Sequence, residues 1–262
     1  MVALEVDRWL RERQPARDLA GVLRCTWRGD LRDFRMPLPD ECLDLVWIDD
    51  GTLWLSGPES RSWAPAAPTG VTAVGVRFEP GVGPAVLGLG ASEVLDMRVR
   101  LDELWSDRAA RELAERLALQ PDDRGRIQEL QHTVRQLAVD ARPVDEVSRH
   151  VAAGIAAPRR VSVHELARST ELSERQLLRR CTAAFGYGPA RLARVLRMQR
   201  ALQLVRASPR PPRLVDLATA ADYGDQQHFA HEVLDIMGTT PTLLLRTGDV
   251  RSLQDGPRPR QG

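Results

Sequence analysis

The segment Ser162 to Ala184, SVHELARSTELSERQLLRRCTAA, constrains the fold more than any other stretch of this chain. Val163, Leu166 and Ala167 recur at helical spacing behind Ser162, a residue type that caps helix N-termini. Thr170-Glu171-Leu172 breaks the pattern. Ser173, followed three residues later by Gln176, is a capping-box signal that opens a second helix. Leu177, Leu178 and Cys181 read as the apolar side of that helix, with Arg175, Arg179 and Arg180 mostly on another side. A short helix, a turn and a basic second helix outline a helix-turn-helix, although a helical hairpin with a solvated arginine face has the same outline.

A second copy follows. Leu214-Val215-Asp216-Leu217-Ala218 is apolar at helical spacing, Asp222-Tyr223-Gly224 reads as a turn, and Asp225 caps a helix through Phe229, Val233 and Ile236. Gly238-Thr239-Thr240-Pro241 ends it. Between the copies the pattern predicts one linking helix from Pro189, a first-turn proline, to about Ala207. Two such units on one linking helix resemble the DNA-binding domain of AraC/XylS transcription regulators. The pieces that carry the resemblance are Leu166-Ala167, Ser173-x-Arg175-x-Leu177-x-Arg179-Arg180, Gly186-x-x-Pro189, the segment Arg194 to Ala201, Leu217-Ala218, Tyr223-Gly224-Asp225-Gln226-x-His228-Phe229 and Gly238-x-Thr240-Pro241.

This resemblance spans residues 158–246 and implies a regulator whose partners are double-stranded DNA and, if it activates, RNA polymerase. In the family pattern the base-facing positions correspond to Arg175, Leu178 and Arg179 in the first reading helix, and to Gln226, Gln227, Ala230 and His231 in the second. The expected DNA-contacting set is Arg175, Gln176, Arg179, Arg180, Gln226, Gln227, His228 and His231. Arginine suits bidentate contact with guanine, and glutamine with adenine. His231 stands where most relatives have arginine, and Asp222 where they have a turn glycine, a backbone conformation that aspartate tolerates.

Charge divides the chain the same way. Residues 1–157 hold 20 arginines against 26 acids, whereas residues 158–213 hold 13 against 3. Residues 214–246, the second unit, hold one arginine against five acids. A basic module joined to an acidic one suits a DNA reader attached to a domain with another task. Phosphate attraction is the sequence-independent part of affinity, so the first unit is expected to carry most of it. The chain contains neither lysine nor asparagine, both of which have AT-rich codons, as expected of a GC-rich bacterial genome.

The first 100 residues read as β-rich, a small barrel or sandwich, so the fold class is α+β; the resemblance to AraC/XylS regulators implies that this is a sensor-like domain with a cupin-like barrel. Ala20 to Trp27, Glu41 to Ile48, Thr52 to Ser56 and Val71 to Phe78 are the predicted strands, with Asp49-Asp50-Gly51 as a hairpin turn. Residues 101–157 form a helical connector, with predicted helices over Leu101–Leu119, Ile127–Val139 and Val144–Ala156 whose apolar stripes offer a surface for a homodimer. Ala157-Pro158-Arg159-Arg160 reads as a linker, and the tail 247–262 as disordered.

All six tryptophans fall in the first 105 residues. Most suit a core, and Trp27, Trp47 and Trp54 are also candidates to line an effector cavity, with Arg77 as a candidate partner for a ligand carboxylate. Relatives of the resembled family often carry an effector-binding barrel. No histidine lies before His132, which argues against a metal-holding catalytic barrel, and no cofactor or catalytic residue is expected. Cys25, Cys42 and Cys181 are too scattered for a disulfide framework, and the two in the N-terminal half are too few for a zinc-dependent alkyl-acceptor repair enzyme. No apolar run approaches a membrane span, and the start of the chain lacks signal-peptide character, so a cytoplasmic protein is expected. The alternative to ligand control is a DNA-binding regulator with no ligand.

Overall fold

Alternation of apolar and polar residues resolves into six strands: β1 (Leu10–Arg13), β2 (Leu23–Asp30), β3 (Asp44–Ile48), β4 (Leu53–Ser56), β5 (Thr72–Phe78) and β6 (Arg98–Arg100). The computed structural model describes residues 10–30, 39–62, 72–156, 162–208 and 210–247. The expected linker at 157–160, the tail beyond 247, Trp9 and Trp63 lie outside these residues. The strands form one antiparallel sheet in the order β1-β2-β5-β3-β4-β6. This antiparallel sheet, with β1 and β6 as its outer strands among the described residues, is the β-rich part of the expected α+β fold. Helices cover one of its faces.

Those helices are α1 (Gly83–Leu87), α2 (Leu101–Leu104), α3 (Asp107–Ala118) and α4 (Asp123–Val139). Leu45, Trp47, Leu55, Val74, Val76 and Phe78 form one core with Leu113 and Leu117 of α3 and Leu130 and Val134 of α4. The middle of each apolar stripe on α3 and α4 is thus buried within the chain, while Leu119 and Val139 at their ends stay exposed. The single helix expected over Leu101–Leu119 is two: Trp105 is extended, and Ser106 caps α3 by accepting the Ala109 N–H. Leu104 accordingly sits at the surface. On the opposite face of the sheet, register places Trp27, Gly75, Val46 and Trp54 side by side, next to Arg77 and Asp44.

The rest of the chain is helical: α5 (Glu146–Ala156), α6 (Val163–Ser169), α7 (Glu174–Phe185), α8 (Pro189–Ala207), α9 (Leu214–Ala220), α10 (Gln226–Met237) and α11 (Pro241–Thr247). Leu166, Leu177, Cys181 and Phe185 pack with Leu192 and Val195 of α8 in one core, and Val151 of α5 joins them. The connector is therefore split, its last helix belonging with the first reading unit. Met198, Ala201, Leu202 and Val205 of α8 pack with Leu217, Phe229, Val233 and Ile236 in a second core. No helix among the described residues is long and apolar enough to cross a membrane.

Sheet and readers touch extensively. Phe185 lies against Gly81, where an added Cβ would approach its ring to 3.1 Å. The Tyr187 hydroxyl donates to the Asp40 carbonyl at 3.2 Å, and the Gln199 amide to Pro39 O at 3.0 Å and Glu41 Oε2 at 2.9 Å. Arg191 donates to Ser60 O, and the Ser62 N–H to Ile236 O at 2.7 Å. All three cysteines are buried, and burial pushes the Cys25 and Cys181 thiols up to about 12.

Gly75 is a closely packed point inside the sheet. A Cβ there would fall 2.5 Å from the Trp27 indole, which lies across the strand. Gly75→Ala is expected to destabilise the protein by about 1–3 kcal/mol through overpacking, read as a lower midpoint in urea unfolding followed by tryptophan fluorescence.

Candidate nucleic-acid interface

Both helix-turn-helix units are built by the same local chemistry. Ser162 and Glu165 exchange the reciprocal bonds of a capping box at the start of α6, as do Ser173 and Gln176 at the start of α7. Glu171 occupies the left-handed region at φ 56°, and the Leu172 N–H returns to Ala167 O at 2.9 Å. In the second unit Asp222 does the same at φ 62°, with the Tyr223 N–H on Ala218 O at 2.8 Å. The aspartate in the glycine position thus holds the turn that the sequence predicts. Asp225 caps α10 by accepting the His228 N–H at 2.6 Å, and left-handed Gly186 and Gly238 close α7 and α10.

These caps aim the two reading helices and sort the expected DNA-contacting residues. Arg175, Arg179, Gln226, Gln227 and His231 are exposed. Arg175 and Arg179 stand one turn apart on α7 and form no ion pair among the described residues. Gln176 is occupied by the capping box, its Oε1 accepting the Ser173 N–H at 2.9 Å. Arg180 turns toward α5 and binds Asp145 at 2.8 Å. His228 is half-buried, edge-on to Tyr223 with ring centres 5.4 Å apart. Leu178, expected on the apolar side, is 51% exposed because the core line of α7 runs through Leu177, Cys181 and Ala184. It stands beside Arg179 on the outer surface.

The acidic count of the second unit is offset by a feature the sequence reading passed over. Arg194 binds Glu232 at 2.7 Å and also Asp235, and Arg191 binds Asp235 at 3.2 Å. The two guanidiniums, Arg194 foremost, hold the Asp235 carboxyl below its ordinary range. The signal was present as matching three-residue spacings, Arg191/Arg194 on α8 and Glu232/Asp235 on α10.

The expected effector residues divide. Trp27, Trp54 and Arg77 share the sheet face away from α4, whereas Trp47 points the other way, with the Arg126 guanidinium 4.5 Å from its ring centre. The Trp54 indole donates to Thr52 Oγ1 at 2.8 Å. Arg77 makes a two-pronged contact with Asp44, both bonds 2.8 Å, and lies 3.5 Å from Glu12 and 3.7 Å from Asp40. Burial disfavours its charge, but the carboxylates of Asp44 and Asp40 outweigh burial and keep the guanidinium protonated. Arg77 is thus supplied with carboxylates by its own chain.

A family model described as a helix-turn-helix domain matches residues 166–247, and one described as a domain of unknown function matches residues 11–100. No curated protein matches the chain. A probable AraC family transcriptional regulator from Rhodopseudomonas palustris is similar at 24% identity over 40% of this chain and 99% of its own, with a TM-score of 0.36. ToxT from Vibrio cholerae, solved with (E)-4-(8-methylnaphthalen-1-yl)but-3-enoic acid bound, is 9% identical over 91% of this chain and 99% of its own, at 0.47. A fatty-acid-bound form of wild-type ToxT is 10% identical over 92% and 95%, at 0.44. At these scores the likenesses extend to neither ligand nor mechanism.

The Arg194 pairing is testable by itself. Glu232 is 7% exposed, so removing its partner strands a carboxylate in the core. Arg194→Ala is expected to cost about 2–3 kcal/mol, less than a fully buried pair because the Arg194 side chain is 32% exposed. Adding Glu232→Gln should recover part of that loss in urea denaturation, since it removes the stranded charge.

Proposed function

We propose, taking residues 166–247 as a helix-turn-helix domain of the AraC type, that this chain is a sequence-specific transcription regulator whose first unit dominates DNA binding. The observation that carries the reading is the pair Arg175 and Arg179, exposed, one turn apart and free of carboxylate partners among the described residues, on a helix fixed at both ends. A guanidinium with no internal partner is available to a base edge or a phosphate. Leu178 beside them offers an apolar contact to a thymine methyl group. The second helix presents Gln226, Gln227 and His231. Its acids at 232 and 235 are neutralised within the protein, so it contributes a secondary contact rather than repulsion.

The 19-residue α8 is about 28 Å long, close to the roughly 34 Å between successive major-groove entries on one side of DNA. A rod of that length between two reading helices suits insertion into neighbouring major-groove segments. Control by a small molecule or partner through the N-terminal domain is the second part of the proposal, supported by the close contact of sheet and readers. A cytoplasmic location belongs to the same proposal, since a regulator of bacterial genes acts where the DNA is.

An operator selected from random duplex DNA provides the test. Arg179→Ala is expected to weaken binding by about 1–3 kcal/mol and to relax preference at one position. His231→Ala should cost less than half of that in gel-shift titrations at one salt concentration. Equal losses would show that the second helix reads as strongly as the first, and unchanged binding by both would remove the reading.

A further inference from the structure

We propose that the cleft between the sheet and α8 binds a small organic molecule bearing a phosphate-type oxyanion. This inference rests on the reading that the N-terminal domain exerts control, and it assigns that control to the seam between the domains instead of the tryptophan-bearing sheet face. The cleft has a volume of about 730 Å³ and draws its walls from the sheet ends, α5, α8 and the turn at Asp222. Sites for small molecules favour such sizes and such domain seams.

Two features give the ligand its chemistry. Arg197 and Arg200 lie one turn apart on the α8 wall and form no ion pair among the described residues. The Arg197 guanidinium carbon sits 5.3 Å from the centre of the Tyr223 ring, which steadies its charge without neutralising it. Two neighbouring guanidiniums fit a doubly charged oxyanion better than a single carboxylate. The other feature is apolar: Ala152, Ala153, Ile155 and Leu196 line the same space.

The remaining charges limit what fits. Arg24 and Arg149 also line the cleft, each already paired, with Glu41 and Glu146. Glu41 accepts from Gln199 as well, and Glu79 and Asp222 complete the acidic lining. Those carboxylates oppose a bare anion, so most affinity must come from a molecule whose apolar body also covers the α5 wall. Such a molecule touches the sheet domain, α5 and α8 together and favours this docked arrangement over any other.

Phenyl phosphate is the probe, with inorganic phosphate and phenol as partial probes. Thermal melting of the full chain is expected to rise with phenyl phosphate, more than with either partial probe at equal concentration. The rise should persist in an Arg175→Ala/Arg179→Ala double variant, which removes the anion-attracting pair on the DNA-facing helix. Arg200→Gln should shift the half-maximal concentration up by at least about tenfold, with far-ultraviolet circular dichroism confirming the fold. Arg197→Gln provides a second variant should Arg200→Gln melt early. No rise, a rise unaffected by both glutamine variants, or a rise lost in the double variant would overturn the proposal. Operator binding by Arg200→Gln, measured separately, keeps a failure here distinct from a failure of the regulator reading.

Discussion

Everything in the reading half depends on α8 being a straight rod that two cores share. A helix with apolar residues on one stripe can serve one core. This one carries Leu192 and Val195 into the first unit, then Met198, Ala201, Leu202 and Val205 into the second. Neither unit can shift along or around α8 without opening a core. Because packing densities leave little slack, two reading helices fastened to one rod hold a fixed mutual geometry. That geometry is what a two-site reader of duplex DNA needs, since groove entries repeat at a fixed interval.

The same rod also faces the sheet domain, and its charged residues are distributed by direction. Arg191 and Arg194 turn to α10 and neutralise its acids, while Arg197 and Arg200 turn to the cleft. A single helix therefore reports to both reading units and to the domain above them. The link is reinforced where the Ser62 N–H bonds Ile236 O near the end of α10 and Arg191 reaches Ser60 O. The stretch from Ser60 to Ser62 touches both the rod and the second reading helix. Any shift of the sheet domain against α8 must break these bonds, which gives a physical route from the N-terminal domain to the DNA-facing surface.

Much of this was legible from local signals. Ser173 with Gln176, Asp225, Pro189 and Gly238 each announced a helix end, because the residues that start or stop a helix lie within three positions of the end they serve. The two strands flanking the Asp49–Gly51 turn were legible because a tight turn between alternating apolar residues marks a hairpin locally. What escaped depended on distant partners. The strand Leu10–Arg13 is short, polar and held by pairing with β2, so nothing in its own pattern marks it. What covers the sheet was hidden too, because alternation specifies that one face is covered without saying that α4 covers it. Among the expected DNA-contacting residues, periodicity put Arg175 and Arg179 on the exposed side of α7, but it could not separate Arg180, one residue on, which turns to Asp145.

Arg77 shows why residue type alone misleads about ligands. An arginine at a strand end in an aromatic-rich domain invites a carboxylate partner from outside. Register answers the question instead: Asp44 is its direct cross-strand neighbour, and opposite charges so placed bind each other before any ligand arrives. Arg197 is the converse case. Its helix places no acid within one turn on either side, and its neighbour from the turn before α10 is the Tyr223 ring, which steadies a guanidinium without neutralising it. Within one chain, then, an arginine's availability is decided by what the adjacent element presents at its own level. In the sheet that level is set by register, and between helices by the three-residue and four-residue spacing of their faces.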